Sequence, residues 1–222
     1  IDTRNWSYDF DQDLRAGVRC TFTVKPGLRD LAGQAVPVSA HSFDTGGPAV
    51  VETIPWEGSR IAEDQIFVLG LDGVARMDSV AKHAWCKAEG VNERIGVRVL
   101  EGAERAKVMD SRKNFIDRFL EAYFKVGERV VRVVVPGTAQ KHEGMPFVVL
   151  QCRRTLPAGV PATLVWDAGI MSESGVATAE AQELAYRTRP DFSAWLSCGR
   201  MVPKGGCIPF QPELNAPRTR DV

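Results

Sequence analysis

The chain repeats itself at a fixed interval. Leu14-Arg-Ala-Gly17-Val18, Gly27, Gly33 and Pro48 recur as Leu156-Pro-Ala-Gly159-Val160, Gly169, Gly175 and Pro190, each 142 positions later. Between them lie the matched stretches Cys20-Thr-Phe-Thr-Val24 and Ala162-Thr-Leu-Val-Trp166. Phe43-Asp-Thr45 answers Tyr186-Arg-Thr188, displaced by one further residue. A period near 140 residues is the size of a domain. Leu-x-Ala-Gly-Val reads as a turn into a strand that alternates apolar and polar residues, so one face is buried. The glycines permit the positive φ of tight turns. The expected division follows: residues 1–47 are the C-terminal part of a first unit, 48–190 a complete second unit, and 191–222 a linker and the start of a following segment.

Within the second unit, Ala49-Val-Val51 and the run Ile61 to Leu71 open the β pattern. Phe67, Leu69 and Leu71 share one face, and Ile66, Val68 and Gly70 share the other. Ala84–Cys86, Gly96–Leu100, Val130–Val135 and Phe147–Cys152 read as further Val-rich strands. Asp78 to His83 reads as one helical turn with Asp78 as N-cap. One segment breaks the pattern. In residues 111–124, Ile116, Leu120 and Tyr123 fall at helical spacing, with Asp110 or Ser111 as the cap. It is expected to cover the core, the alternative being a partner-binding helix. The fold class is therefore mainly β, with immunoglobulin-like antiparallel sandwiches and one inserted amphipathic helix at about 111–124. The Pro- and Gly-rich tail reads as a linker and an irregular loop, with a short strand near Ala194–Leu196.

Lys plus Arg and Asp plus Glu both total 28, so no net basic charge invites nucleic acid. No apolar run approaches the length of a membrane-spanning helix. The N-terminus Ile1-Asp2-Thr3-Arg4 has no initiator Met or signal segment and reads as that of a fragment. Chemistry is hard to place. Asp9-Phe-Asp11-Gln-Asp13 starts like a calcium loop, but Leu14 and Cys20 stand where Gly and Glu are needed. Met171-Ser-Glu-Ser-Gly175 lacks the glycine spacing of a nucleophile elbow. Cys86 with His83 has no third group, and reads as a half-cystine beside a surface His. The three histidines are far apart, a poor pattern for zinc. Trp6, Trp56, Trp85, Trp166 and Trp195 are scattered and read as core or interdomain anchors, since a carbohydrate platform needs clustered exposed rings. No catalytic residue, cofactor or metal site is assigned.

Phe43-Asp-Thr-Gly-Gly-Pro48, Val50 to Pro55 and Ile61 to Phe67 resemble the start of bacterial Ig-like domains, and Gly27 to Gly33 a turn near their end. His83-Ala-Trp-Cys86, Val148 to Pro157, Leu164-Val-Trp166, and Cys198-Gly-Arg-Met with Cys207-Ile-Pro209 resemble the N-terminal region of bacterial alpha-2-macroglobulins. The resemblance implies a non-catalytic scaffold or interaction module of a periplasmic or cell-surface protease inhibitor. Its partners would be other domains of the same chain and target proteases, with no nucleic acid or membrane contact in this fragment. The thioester motif of some members, Cys-x-Glu-Gln, is absent from these residues. An Ig-like adhesion or carbohydrate-binding module is the alternative, and a hydrolase with an unrecognised site a third.

An exported protein meets an oxidising compartment, so cysteines close in space should bridge. Cys86 and Cys152 end two strands of the second unit, which a sandwich can bring within reach. Cys198 and Cys207 are separated by Gly199, Pro203, Gly205 and Gly206, residues that turn a chain back. The expected bridges are Cys86–Cys152 and Cys198–Cys207. Cys20 aligns with Ala162 and is expected to be free and buried on its strand.

Overall fold

Short strands, some alternating in burial and some buried on both faces, build most of this molecule. The structure is a computed structural model that describes residues 7–11, 13–126, 129–130, 144–195, 198–202, 206–209 and 213–215, with 125–126, 129–130 and those after Phe192 described by backbone alone. β1 (Arg19–Thr23) and β2 (Ala40–Asp44) form a two-stranded antiparallel sheet. Next come β3 (Val50–Ile54), β4 (Arg60–Ile61), β5 (Ile66–Leu71), α1 (Met77–His83), β6 (Ala84–Ala88) and β7 (Ile95–Val99). Helices α2 (Gly102–Ser111) and α3 (Lys113–Tyr123) and the short pair β8 (Lys125–Val126) and β9 (Arg129–Val130) follow. β10 (Phe147–Cys152), β11 (Pro161–Trp166) and β12 (Gln182–Thr188) complete the unit.

These strands make one eight-stranded sheet in the order β3-β5-β10-β7-β6-β11-β12-β4, antiparallel except for β12 with β4. β7 is its corner. Ile95 and Gly96 pair with β6, whereas Val97 to Val99 pair with β10. The edge strands β3 and β4 are consecutive in the chain, so the sheet folds over and its halves face each other as a sandwich. Phe67 of β5 meets Tyr186 of β12 with ring centroids 5.1 Å apart. Phe67, Leu69, Leu71, Val148, Leu150, Leu164 and Trp166 fill the space between the halves.

A second core lies on the outer face. Val68, Phe147 and Val149 pack against Met109, Phe115, Ile116 and Phe119 of the two helices. Buried on both faces, β5 and β10 are almost continuously apolar. Gly70 permits this packing, because a Cβ there would stand 2.5 Å from the Phe119 ring.

Several expectations need correction. α3 is the expected amphipathic helix, but α2 precedes it, and Asp110 and Ser111 close α2 rather than cap α3. The Ser111 hydroxyl donates back to the Val108 carbonyl. α1 spans Met77–His83 with Arg76 at its N-cap position, and Asp78 sits in the first turn as an ion-pair partner of Arg76. The tail is not irregular: β13 (Ser193–Trp195) pairs with β16 (Glu213–Asn215), and β14 (Cys198–Val202) with β15 (Gly206–Pro209). Of the strand expected at Val130–Val135, residues 131–135 lie outside the described residues, as do Trp6 and Leu196.

The repeat has a hydrogen-bond counterpart. The isolated bridge Arg29↔Ala35 recurs as Met171↔Ala177. Gly33 N–H donates to the Asp30 carbonyl and Gly175 N–H to that of Ser172, both at 3.0 Å. Cys20 faces Phe43 as Ala162 faces Tyr186, so the one-residue displacement falls between the bridge and the second strand. Val18 N–H donates to Thr45 Oγ1 (3.0 Å) and Val160 N–H to Thr188 Oγ1 (2.9 Å). Those threonine hydroxyls donate to the carbonyls of Arg15 and Pro157. Gly17 and Gly159 both take positive φ, 81° and 71°, at the turn into the strand, a conformation open to glycine at little cost.

Candidate functional site

Three places gather the residues singled out above: the β7 corner, the joint between the N-terminal hairpin and the sandwich, and a cleft beside α3.

At the corner, Cys86 of β6 and Cys152 of β10 form a disulfide, with Cα atoms 6.0 Å apart. Cys86 stands opposite Ile95, and Cys152 opposite Val97. The bridge therefore spans β7 where that strand passes from one half of the sheet to the other. Nearby, the Asp167 carboxylate accepts from the Trp85 indole at 3.1 Å and from Arg94 at 3.3 Å, and Arg94 stacks on the Trp85 ring. The Trp85 hydrogen bond, followed by that from the Ala168 N–H, holds the Asp167 carboxyl below the usual carboxylate range. Cys20 is a free thiol and only half-buried, not buried as its alignment with Ala162 suggested. Cys198 and Cys207 lie on the paired strands β14 and β15, with Pro209 opposite Cys198 and Met201 opposite Cys207. Their side chains, and so their pairing, lie outside the described residues.

At the joint, the Gly17 carbonyl accepts from Ser172 Oγ at 2.9 Å and also from Ser174 Oγ. The serines of the Met171–Gly175 run are thus engaged in holding the hairpin. Arg15 places its guanidinium 4.0 Å from the centroid of the Tyr123 ring and 4.8 Å from that of Phe124. Two glycines let backbones meet there. A Cβ on Gly73 would stand 2.4 Å from the Ala16 carbonyl oxygen, and one on Gly47 would stand 2.1 Å from the Thr178 nitrogen. Nothing in the spacing of these residues marked them as partners, since the joint forms between segments far apart in the chain, 157 residues in the case of Gly17 and Ser174.

Beside α3, Trp56 is 51% exposed on the wall of a cleft of about 490 Å³, with Asp110, Asn114 and Arg118 around it. It is not buried in the core, one of the two roles expected of it. Trp166 is such an anchor, fully buried with its indole donating to the Pro48 carbonyl at 2.8 Å. His83 packs its ring beneath Gly169 rather than lying free at the surface. Among the described residues, no group of three or more His, Cys, Asp or Glu could hold a metal ion. No helix among them is long and apolar enough to cross a membrane.

No family model matches the sequence, and no curated protein matches it. Among solved structures, it is similar to the S-layer protein rSbsC(31-844), with a TM-score of 0.35 and 11% identity over 73% of this chain and 16% of that one. Domains 1–6 of the surface layer protein SbsC give a TM-score of 0.35 and 11% identity, over 72% of this chain and 16% of that one. The N-terminal part of the bacterial S-layer protein SbsC gives 0.34 and 13%, over 71% and 27%. The chain thus spans well under a third of the length of each.

Proposed function

We propose that this chain is a non-catalytic scaffold and interaction module of a bacterial periplasmic or cell-surface protein built from serial β-sandwich units, of the alpha-2-macroglobulin-like protease-inhibitor kind. One observation carries the reading: the hairpin of residues 14–47 shares its turn bridge, its threonine latch and much of its hydrogen-bond pattern with that of 156–190, and it is docked on the sandwich through the Gly17 joint. Serial units suit a protein that presents or encloses rather than one that turns over substrate. The Cys86–Cys152 bridge supports an oxidising compartment. The protease-inhibitor assignment itself comes from the sequence resemblance. Turnover and capture test the two parts separately. The chain should leave chromogenic ester and peptide substrates intact, and any hydrolysis overturns the non-catalytic reading. The intact polypeptide that carries it should retain an added protease in a native gel, and deletion of 48–190 should release it. A protease that migrates freely past the intact polypeptide overturns the inhibitor reading.

Trp56 favours a second reading, a carbohydrate-binding module. The half-exposed Trp56 indole has Arg118 over one side of its ring at 5.3 Å, an indole can stack on the apolar face of a sugar, and Asp110 and Asn114 supply hydrogen-bonding groups beside it. A glycan array distinguishes the readings: retention of a glycan that is lost on Trp56→Ala supports the second, and a blank array removes it.

A further inference from the structure

The N-terminal hairpin carries a face that its own repeat explains. In the second copy, the inner face of β11 and β12 is closed: Ile170 is 0% and Tyr186 5% exposed, and Ala162 and Leu164 are buried. The same positions of the first copy are open. Leu28, the counterpart of Ile170, is 50% exposed; Phe43, the counterpart of Tyr186, is 42% exposed; Cys20, the counterpart of Ala162, is half-buried. Around them Tyr8, Phe10, Phe22 and Phe43 form a cluster of rings with centroids 5.0–6.4 Å apart. β1 and β2 make a sheet of two strands, whereas β11 and β12 lie inside a sheet of eight, flanked by β6 and β4. Tyr8 and Phe10 stand 142 positions before Leu150 and Cys152, the end of β10, which lies across the sandwich from β11. Their rings lie against Phe22 and Phe43 of the hairpin, without strands like those that flank β10.

We propose that the aromatic face of β1 and β2 is half of a sandwich core, and that it takes up a half-sandwich of this chain's own kind, patterned like residues 48–155. A strand like β6 would pair with β1 and one like β4 with β2. Inner residues like Phe67, Leu69 and Leu150 would then close over Cys20, Leu28 and Phe43. The shape and apolar character of the face match that occupant because the second copy shows the same hairpin framework already covered by it. This inference rests on the reading of the chain as one of a series of like units.

Cys20 is a built-in reporter, since native-state alkylation follows access to the thiol. In the 222-residue chain, iodoacetamide should modify Cys20 readily and at a rate independent of protein concentration. Placing a copy of residues 48–155 directly ahead of Leu14 should slow that modification by about tenfold or more, through burial of the thiol. The added segment should also gain the protease resistance of 48–190. A companion chain with Phe22→Leu and Phe43→Tyr gives the hairpin the side chains of the second copy, and so guards against a mere misfit of ring sizes. If Cys20 stays as reactive in both fused chains, or the added segment is digested in both while 48–190 survives, the proposal is overturned. Protection of Cys20 that rises with the concentration of the unfused chain also overturns it, by assigning the face to a second copy. Substrate turnover would sink the non-catalytic reading without moving Cys20, so the two can fail independently.

Discussion

Gly70 and Asp167 show how much single positions decide here. Gly70 lies on a strand buried on both faces, and Phe119 occupies the space where its side chain would be. Gly70→Ala should therefore destabilise the unit by about 1–3 kcal/mol, the usual cost of overpacking a filled core. Urea unfolding measures this, and adding Phe119→Leu should recover part of the loss. Equal stability of Gly70→Ala and the parent would mean that the helix layer yields. Asp167 makes a pH-dependent contribution whose sign is fixed. Its carboxyl is held low, first by the Trp85 indole and then by the Ala168 N–H, with Arg94 adding charge. A lowered carboxyl stabilises the folded state fully above the ordinary carboxylate range and loses that effect as pH falls through its folded value. Asp167→Asn keeps an acceptor for Trp85 but not the charge. It should lower the melting midpoint at neutral pH, with the gap to the parent closing below about pH 4. A gap constant across that range would show that the charge is not its source.

At the scale of elements, the disulfide ties the sheet together where β7 changes partners. The Cys86–Cys152 bridge closes a loop with a sequence separation of 66, and chain entropy gives such a loop roughly 4 kcal/mol. Cys86→Ala with Cys152→Ala should lower the unfolding free energy by about that amount in urea. A loss under about 1 kcal/mol would mean that β7's pairing with both neighbours already restrains the corner in the unfolded ensemble. The pair itself was legible in the sequence, because both cysteines lie on strands that a sandwich brings within reach, although Cys86 stands midway along β6 rather than at its end. β6, β7 and β12 were legible from period-two burial, and β5 and β10 from short apolar runs buried on both faces. α2 was not. Met109 alone is fully buried among its residues, so no apolar stripe marks it, and Gly102 weakens its start. The tail strands were hidden by Pro203, Gly205 and Gly206, which punctuate a hairpin as readily as they mark a loop. Trp56 was misread because sequence supplies an aromatic residue but not its exposure, which here depends on how α3 crosses the sheet.

At the scale of the whole molecule, the question is whether the hairpin is fixed to the sandwich or merely tethered. Its polar holds are modest. Two hydroxyl hydrogen bonds to the Gly17 carbonyl contribute about 1 kcal/mol each, and Arg15 over Tyr123 contributes about as much. Backbone also meets backbone at Gly73, where the Ala16 carbonyl occupies the position of a side chain. Gly73 is not among the positive-φ glycines, so alanine fits its backbone. Gly73→Ala should thus act on the joint and leave the fold of 48–190 nearly unchanged. If the hairpin is fixed there, the added methyl group displaces Ala16 and with it Arg15, which leaves the Tyr123 ring and becomes open to trypsin. The rate of cleavage after Arg15 should rise about tenfold for each 1.4 kcal/mol of docking lost. Urea unfolding of the remaining unit should stay within about 0.5 kcal/mol of the parent. Unchanged cleavage would mean that the hairpin is already undocked in solution. Raised cleavage with intact stability would mean that backbone contact at Gly73 and Ala16, more than the serine hydroxyls, sets the angle between the hairpin and the sandwich. A glycine at that position would then be a requirement of the joint rather than of the sandwich.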